Sequence, residues 1–265
     1  RRKLLALAVV GMGMMLLIGF ALRRLERRAV LILPQATMLV EDVRGRFIAE
    51  VGPDDRRKGY WPLPEKIPQM IVDATLAAED ARFFSHSGVE GRSLLRAVWQ
   101  NLRRHRRVSG ASTIAMQVAR IQVPEGRTYR NKVAEALVAR DLIRKYGHEA
   151  VLRHYLRIAP YGNQNHGIVF AARRYFDKPI EDLTWAETAL LAALPKLPGR
   201  MNILRWEGRQ KAERRALYVL RRLRALGKIS EEEWTEAKDL LPRLHIAYRE
   251  ARPRNCLHAA FAMER

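Results

Sequence analysis

Glu79-Asp80-Ala81-Arg82-Phe83-Phe84-Ser85-His86-Ser87-Gly88 is a polar run set at the end of an apolar helical pattern. Upstream, Ile67, Met70, Ile71, Ala74 and Ala78 recur at helical spacing and lead into Glu79. The pattern therefore passes from helix to turn at a carboxylate. A carboxylate partly shielded from water is an effective base near neutral pH. An ion pair with Arg82 accounts equally well for a glutamate at a helix end. His86-Ser87-Gly88 reads as a turn, with Gly88 supplying a positive φ.

A second polar segment follows about twenty residues on: Gly110-Ala111-Ser112-Thr113-Ile114-Ala115-Met116-Gln117. Its small residues let a backbone approach a ligand. Ser112, Thr113 and Gln117 offer hydroxyl and amide partners for sugar or phosphate oxygens. A helix N-cap at Ser112 is an equally natural reading. Between the two segments lies Arg103-Arg104-His105-Arg106-Arg107. Such runs serve solvated faces or nucleic-acid patches, and anionic lipid headgroups or a pyrophosphate suit this one as well. Arg120, Arg127, Arg130 and Lys132 carry the positive field toward Glu135, inside a helix. Two carboxylates in unlike settings, Glu79 and Glu135, can divide acid and base roles. A local ion pair is the plainer reading of Glu135. Arg157 and the loop from Gly162 to Gly167 line the same cleft or form an ordinary turn.

The rest of the chain reads as mostly helical. Leu94, Leu95, Val98 and Leu102 share one helix face, as do Val133, Leu137, Leu142 and Ile143 over Lys132 to Tyr146. A short helix from Glu149 to Ile158 ends at Pro160 and Gly162. Thr184-x-x-Glu187 and Ser230-x-x-Glu233 are capping boxes, opening helices to Leu194 and Leu240. A basic amphipathic helix runs from Arg205 to Leu226. The exception to helix lies at Thr37 to Val51, where alternation around Arg44-Gly45 predicts a short hairpin. Pro53 to Pro64 is a turn-rich link.

Leu4 to Leu22 holds nineteen uncharged residues, enough to cross most of a bilayer core at ~1.5 Å per residue. A cleaved secretory signal has a shorter apolar region, about 7–15 residues. Arg23-Arg24 follows in place of a small-residue cleavage site. A membrane anchor is therefore the favoured reading, and basic residues on both flanks leave its orientation open. The 265 residues are 48% apolar, sufficient for a sizeable core, and carry a net charge of +21. Nucleic acid, an anionic membrane and phosphorylated substrates are all compatible with that excess. Cys256 is the single cysteine, which excludes an intrachain disulfide framework. The chain has no Gly-rich loop ending in Lys-Ser/Thr, paired-His metal motif, Cys-x-x-Cys, Ser-x-x-Lys or Lys-Thr-Gly.

Taken in order, these segments resemble the peptidoglycan glycosyltransferase domain, glycosyltransferase family 51. The first motif of that family, Glu-Asp-x-x-Phe-x-x-His-x-Gly, is complete in Glu79, Asp80, Phe83, His86 and Gly88. The second is met by Gly110, Ser112, Thr113, Ile114 and Gln117. In the third, Lys132 and Glu135 match, with Asn131 where arginine is usual. In the fourth, Leu152, Tyr155, Leu156 and Gly162 match, with Arg157 where asparagine is usual. Ala189 to Pro195 resembles the fifth. Met116 and Ala159-Pro160-Tyr161-Gly162 are most similar to the 1C type of class A penicillin-binding protein; a monofunctional transglycosylase is the other form of the family.

The resemblance implies a mainly α, lysozyme-like fold with a large head lobe and a small membrane-proximal lobe. One transmembrane helix (1–28) and a hairpin with linker (29–64) precede the glycosyltransferase domain (65–205). A helical extension (206–265) follows, read as the natural tail of a monofunctional form or the start of a truncated transpeptidase domain. The implied activity is polymerisation of lipid II into β-1,4 glycan strands at the outer face of the bacterial cytoplasmic membrane, with inversion at the donor carbon. Glu79 is then the general base. Glu135 holds the phosphate-side machinery or an associated Mg or Mn ion. Lys132 and Arg120, with Ser112 and Gln117, meet the leaving pyrophosphate. Asp80, Phe83, His86, Gly88 and Thr113 complete the substrate-binding set. The implied partners are lipid II, the growing strand, membrane lipids and other cell-wall synthesis or division proteins, with no nucleic acid. A membrane scaffold that binds lipid II without elongating it, and a lysozyme-like glycan-cleaving enzyme, are the alternatives.

Overall fold

The computed structural model describes residues 2–33, 38–41, 43–44, 47–51, 58–59, 62–91, 112–126 and 128–247. The basic run at 103–107, Gly110, Arg127, the helix expected around 94–102, Cys256 and the tail from 252 lie outside the described residues. The described chain is mainly helical. In order, it forms α1 (Arg2–Arg28), β1 (Met38–Glu41), β2 (Phe47–Val51), β3 (Lys58–Gly59), α2 (Gln69–Glu79), α3 (Ile114–Gln122), α4 (Tyr129–Ile158), β4 (Asn165–His166), α5 (Ile168–Phe176), α6 (Trp185–Ala193), α7 (Trp206–Ala225) and α8 (Glu231–Leu240). β1 and β2 pair antiparallel with Met38 opposite Val51, and a register shift falls between Val40 and Glu41.

The chain divides into two compact units: Arg1–Ile32 with Phe84–Leu152, and Leu33–Phe83 with Arg153–Arg265. In the first unit, α3 is buried along Ile114 to Ala119. α4 runs for 30 residues, but Gly147 at φ 76°, ψ 169° breaks its helical geometry. The two helices read from the sequence therefore meet at a glycine kink. The end of α1 is tied into this unit by polar contacts. Arg28 pairs with Glu125 at 2.8 Å and Arg144 with Glu26 at 3.2 Å. Gln122 accepts from the Ile32 N–H at 2.8 Å and donates to the Val30 carbonyl at 3.0 Å. Side chains of α1 are described at 11–16, 19–20 and 23–28. Among the described residues no helix is long and apolar enough to cross a membrane.

The second unit is built around α6. Its residues from Ala186 to Ala193 are all buried, and its four buried alanines let α2 and α7 pack close against it. A burial on this scale removes several side chains from water, each contributing about 1.5–3 kcal/mol when large and apolar. Both capping boxes are formed as the sequence indicates. Thr184 accepts from the Glu187 N–H while Glu187 accepts from the Thr184 N–H, and Ser230 and Glu233 do the same. The β3–β4 pair is parallel, Lys58 opposite Asn165; β4 lies within the 162–167 loop, for which the sequence predicts no strand.

Candidate active site

In the second unit, Glu79 is the last residue of α2. Its side chain is 2% exposed, and Arg215 of α7 donates to its Oε1 at 3.0 Å. The same guanidinium nitrogen donates to the Ala78 carbonyl at 3.1 Å. The partner expected from local sequence was Arg82; this one is 136 positions away and carried no signal in the motifs. Asp80 ends the helix: it is buried, and its N–H reaches back to Leu76 O. Phe83 is fully buried and anchors the turn. Tyr161, also buried, lies close enough to Glu79 to feel its charge. Burial first, and then that charge, push the tyrosine hydroxyl well above its ordinary range, so it is a neutral neighbour.

The loop that carries Tyr161 is held from behind. Tyr175 donates to the Tyr161 carbonyl at 2.9 Å, and Asn163 donates to Tyr175 Oη and Asn202 Oδ1, each at 3.1 Å. Gly162, Asn163, Gln164 and Gly167 all have positive φ. In the same unit, Arg157 Nε is buried without a hydrogen-bond partner.

The first unit gathers the remaining site residues. His86 Nδ1 accepts from the Gly88 N–H at 3.2 Å, and His148 Nε2 lies 2.9 Å from the His86 carbonyl. Gly88 has φ 96°, as the sequence indicates, and a Cβ there would meet Ala139 O at 2.5 Å. Thr113, rather than Ser112, is the N-cap of α3; its Oγ1 donates to the Gly88 carbonyl at 2.6 Å. Capping by Thr113 leaves the Ser112 hydroxyl to accept from Lys132 Nζ. Gln117 is buried on α3, and Arg120 is half-buried in its last turn.

Lys132 also lies 3.6 Å from Glu135, an i,i+3 pair, and Glu135 Oε2 is buried with no hydrogen-bond partner. A pocket in this unit is lined by Arg28, Val123, Glu125, Asn131, Glu135 and Val138, among others. Asn131 turns its amide away to the Gly126 carbonyl at 2.7 Å. The first unit thus brings together an ammonium and a hydroxyl, donors suited to phosphate oxygens, with the Glu135 carboxylate beside the ammonium. Among the described residues no three His, Cys, Asp or Glu side chains group to hold a metal ion.

A family model described as transglycosylase matches residues 44–224. Penicillin-binding protein 1A of Pseudomonas aeruginosa is 38% identical over 204 residues, covering 77% of this chain and 24% of that protein. Penicillin-binding protein 1C of Escherichia coli is 35% identical over 184 residues, covering 68% and 24% respectively. A crystal structure of penicillin-binding protein 1A from Haemophilus influenzae superposes with a TM-score of 0.46 at 21% identity, covering 88% of this chain and 24% of that one. The chain spans about a quarter of the length of these relatives.

Proposed function

The chain belongs to the transglycosylase family, and from that premise we propose that it is a peptidoglycan glycosyltransferase that polymerises lipid II into β-1,4-linked glycan strands. Glu79 is the general base. As the acceptor sugar's 4-hydroxyl attacks the donor's anomeric carbon, its proton passes to the Glu79 carboxylate. The new C–O bond forms opposite the C–O bond that breaks, so the donor carbon inverts. The electron pair of the broken bond leaves with the lipid pyrophosphate. Charge therefore develops on the leaving group, and prearranged donors there act most strongly in the transition state. Lys132, Arg120, Ser112 and Gln117 supply them. Glu135 holds the Lys132 ammonium in place.

The observation that carries this reading is Glu79 itself. A carboxylate at a helix end, 2% exposed and paired with an arginine, costs stability to bury and is suited to proton transfer. Lys132 and Ser112, in contact with each other in the first unit, are the groups assigned to the leaving-group half of the reaction. A lysozyme-like, two-lobed fold, a transmembrane anchor at 1–28, and placement of the catalytic units outside the cytoplasmic membrane belong to the same proposal. The anchor rests on the nineteen uncharged residues of Leu4 to Leu22.

The test is polymerisation of purified lipid II by the wild-type chain and by Glu79→Gln. Loss of a general base lowers the rate by about 10²- to 10⁴-fold. Equal rates in the two proteins reject Glu79 as the base. Lipid II binding by a wild type that forms no strands supports the scaffold reading, for which Asn131, its amide spent on Gly126, and Arg157 are the motivating residues.

A further inference from the structure

We propose that Arg215 is the positioning residue for the Glu79 base, a role that rests on the reading of Glu79 given above. One guanidinium nitrogen, Nη2, reaches both Glu79 Oε1 at 3.0 Å and the Ala78 carbonyl at 3.1 Å. The last carbonyls of a helix have no intrahelical donor. Arg215 therefore satisfies the end of α2 and fixes the carboxylate that projects from it with the same nitrogen. The rotamer of Glu79 is thereby tied to the helix backbone.

Arg215 can do this because α7 is itself held firmly. Ala212, Ala216, Val219 and Leu220 are buried around it. At its start, Gly208 lies so close to Asn202 that a Cβ would meet the backbone oxygen at 2.2 Å. The arginine side chain is 18% exposed, half-shielded, above a carboxylate that is 2% exposed. Tyr161, whose hydroxyl burial and the Glu79 charge push upward, is a neutral neighbour. Arg215 thus brings Glu79 both a positive charge and a fixed hydrogen-bond geometry. Lysine keeps the charge but not the planar fork, so the two contributions are separable by substitution.

The experiment is lipid II polymerisation by the full chain and by four variants: Arg215→Met, Arg215→Lys, Glu79→Gln and the double variant Arg215→Met/Glu79→Gln. kcat, KM and the thermal midpoint are recorded for each. Misplacing a reacting group by about 1 Å costs on the order of 100-fold. Arg215→Met is expected to lose about that factor in kcat with KM nearly unchanged, and Arg215→Lys to regain part of it. The double variant is expected to be no slower than Glu79→Gln alone, because Arg215 acts through Glu79.

Three results overturn the proposal. One is wild-type kcat in Arg215→Met. Another is a double variant slowed by both factors multiplied. The third is a loss that only follows the melted fraction. If Arg215→Met does not fold, Arg215→Lys and the double variant, in which no unpaired charge is left behind, decide the matter. If Glu79→Gln polymerises normally, the general-base reading fails by itself, whatever Arg215 does.

Discussion

Gly88 and Thr113 lie 25 positions apart and are joined by a 2.6 Å hydrogen bond from the threonine hydroxyl to the glycine carbonyl. That one hydroxyl also caps α3 by accepting from Met116 N at 3.2 Å, so a single side chain binds the first motif to the second. Gly88 has no freedom to change. Its φ of 96° opposes any L side chain, and a Cβ would stand 2.5 Å from Ala139 O. Gly88→Ala should therefore destabilise the protein by about 3 kcal/mol or more, combining left-handed strain with overpacking; chemical denaturation reads this directly. His154 sets a pH limit. Burial, and then the charge of Arg157, lower its imidazole from 6.5 to about 4. The folded state thus holds this proton less well than the unfolded chain. Stability should be intact above pH 6.5 and decline as pH falls toward 4, by ~3 kcal/mol in all. Denaturation midpoints measured across pH 4–7 should show that slope, and His154→Leu should flatten it.

Gly147 shows what an element owes to one backbone position. α4 runs from Tyr129 to Ile158, yet Gly147 sits at φ 76°, ψ 169°, a region that only glycine adopts without strain. Nothing lies within 4 Å of where its Cβ would be. Gly147→Ala is therefore a backbone test alone, expected to cost about 1–3 kcal/mol, less than Gly88→Ala, where backbone and contact both object. If the two alanines cost the same, the Ala139 contact contributes nothing. The periodicity on either side of Gly147 was legible in the sequence, as were both capping boxes, because helical spacing and caps are local patterns. The parallel β3–β4 pair was not, since two-residue strands leave no periodicity and the partners are about a hundred positions apart. The sequence does not separate Ser112 from Thr113 as the N-cap, because the two are equally good caps until the Gly88 carbonyl selects Thr113. Arg215 was invisible for the same reason. Arginines are plentiful along α7, and only packing against α2 and α6 decides which of them meets Glu79.

At the scale of the whole molecule, the proposed anchor implies that the charge of +21 and the apolar run at Leu4–Leu22 make separable contributions to membrane attachment. Basic residues near an anionic surface contribute about 1 kcal/mol each, an attraction that salt removes. A spanning helix is held by hydrophobic burial, which salt does not weaken. The structure links the two. Glu26, Arg28, Val30 and Ile32, at and just beyond the end of α1, are bonded to Arg144, Glu125 and Gln122, so where α1 goes, the unit bearing Lys132 and Glu135 follows. A chain lacking residues 4–22 retains every residue that makes these bonds and all of its formal charge. Flotation with vesicles rich in anionic lipid should recover both proteins in the lipid fraction at low salt. At about 1 M salt, where the screening length is near 3 Å, the full chain should stay with the vesicles and the shortened one should leave them. Release of the full chain under that condition rejects the anchor and leaves the positive surface as the only means of attachment.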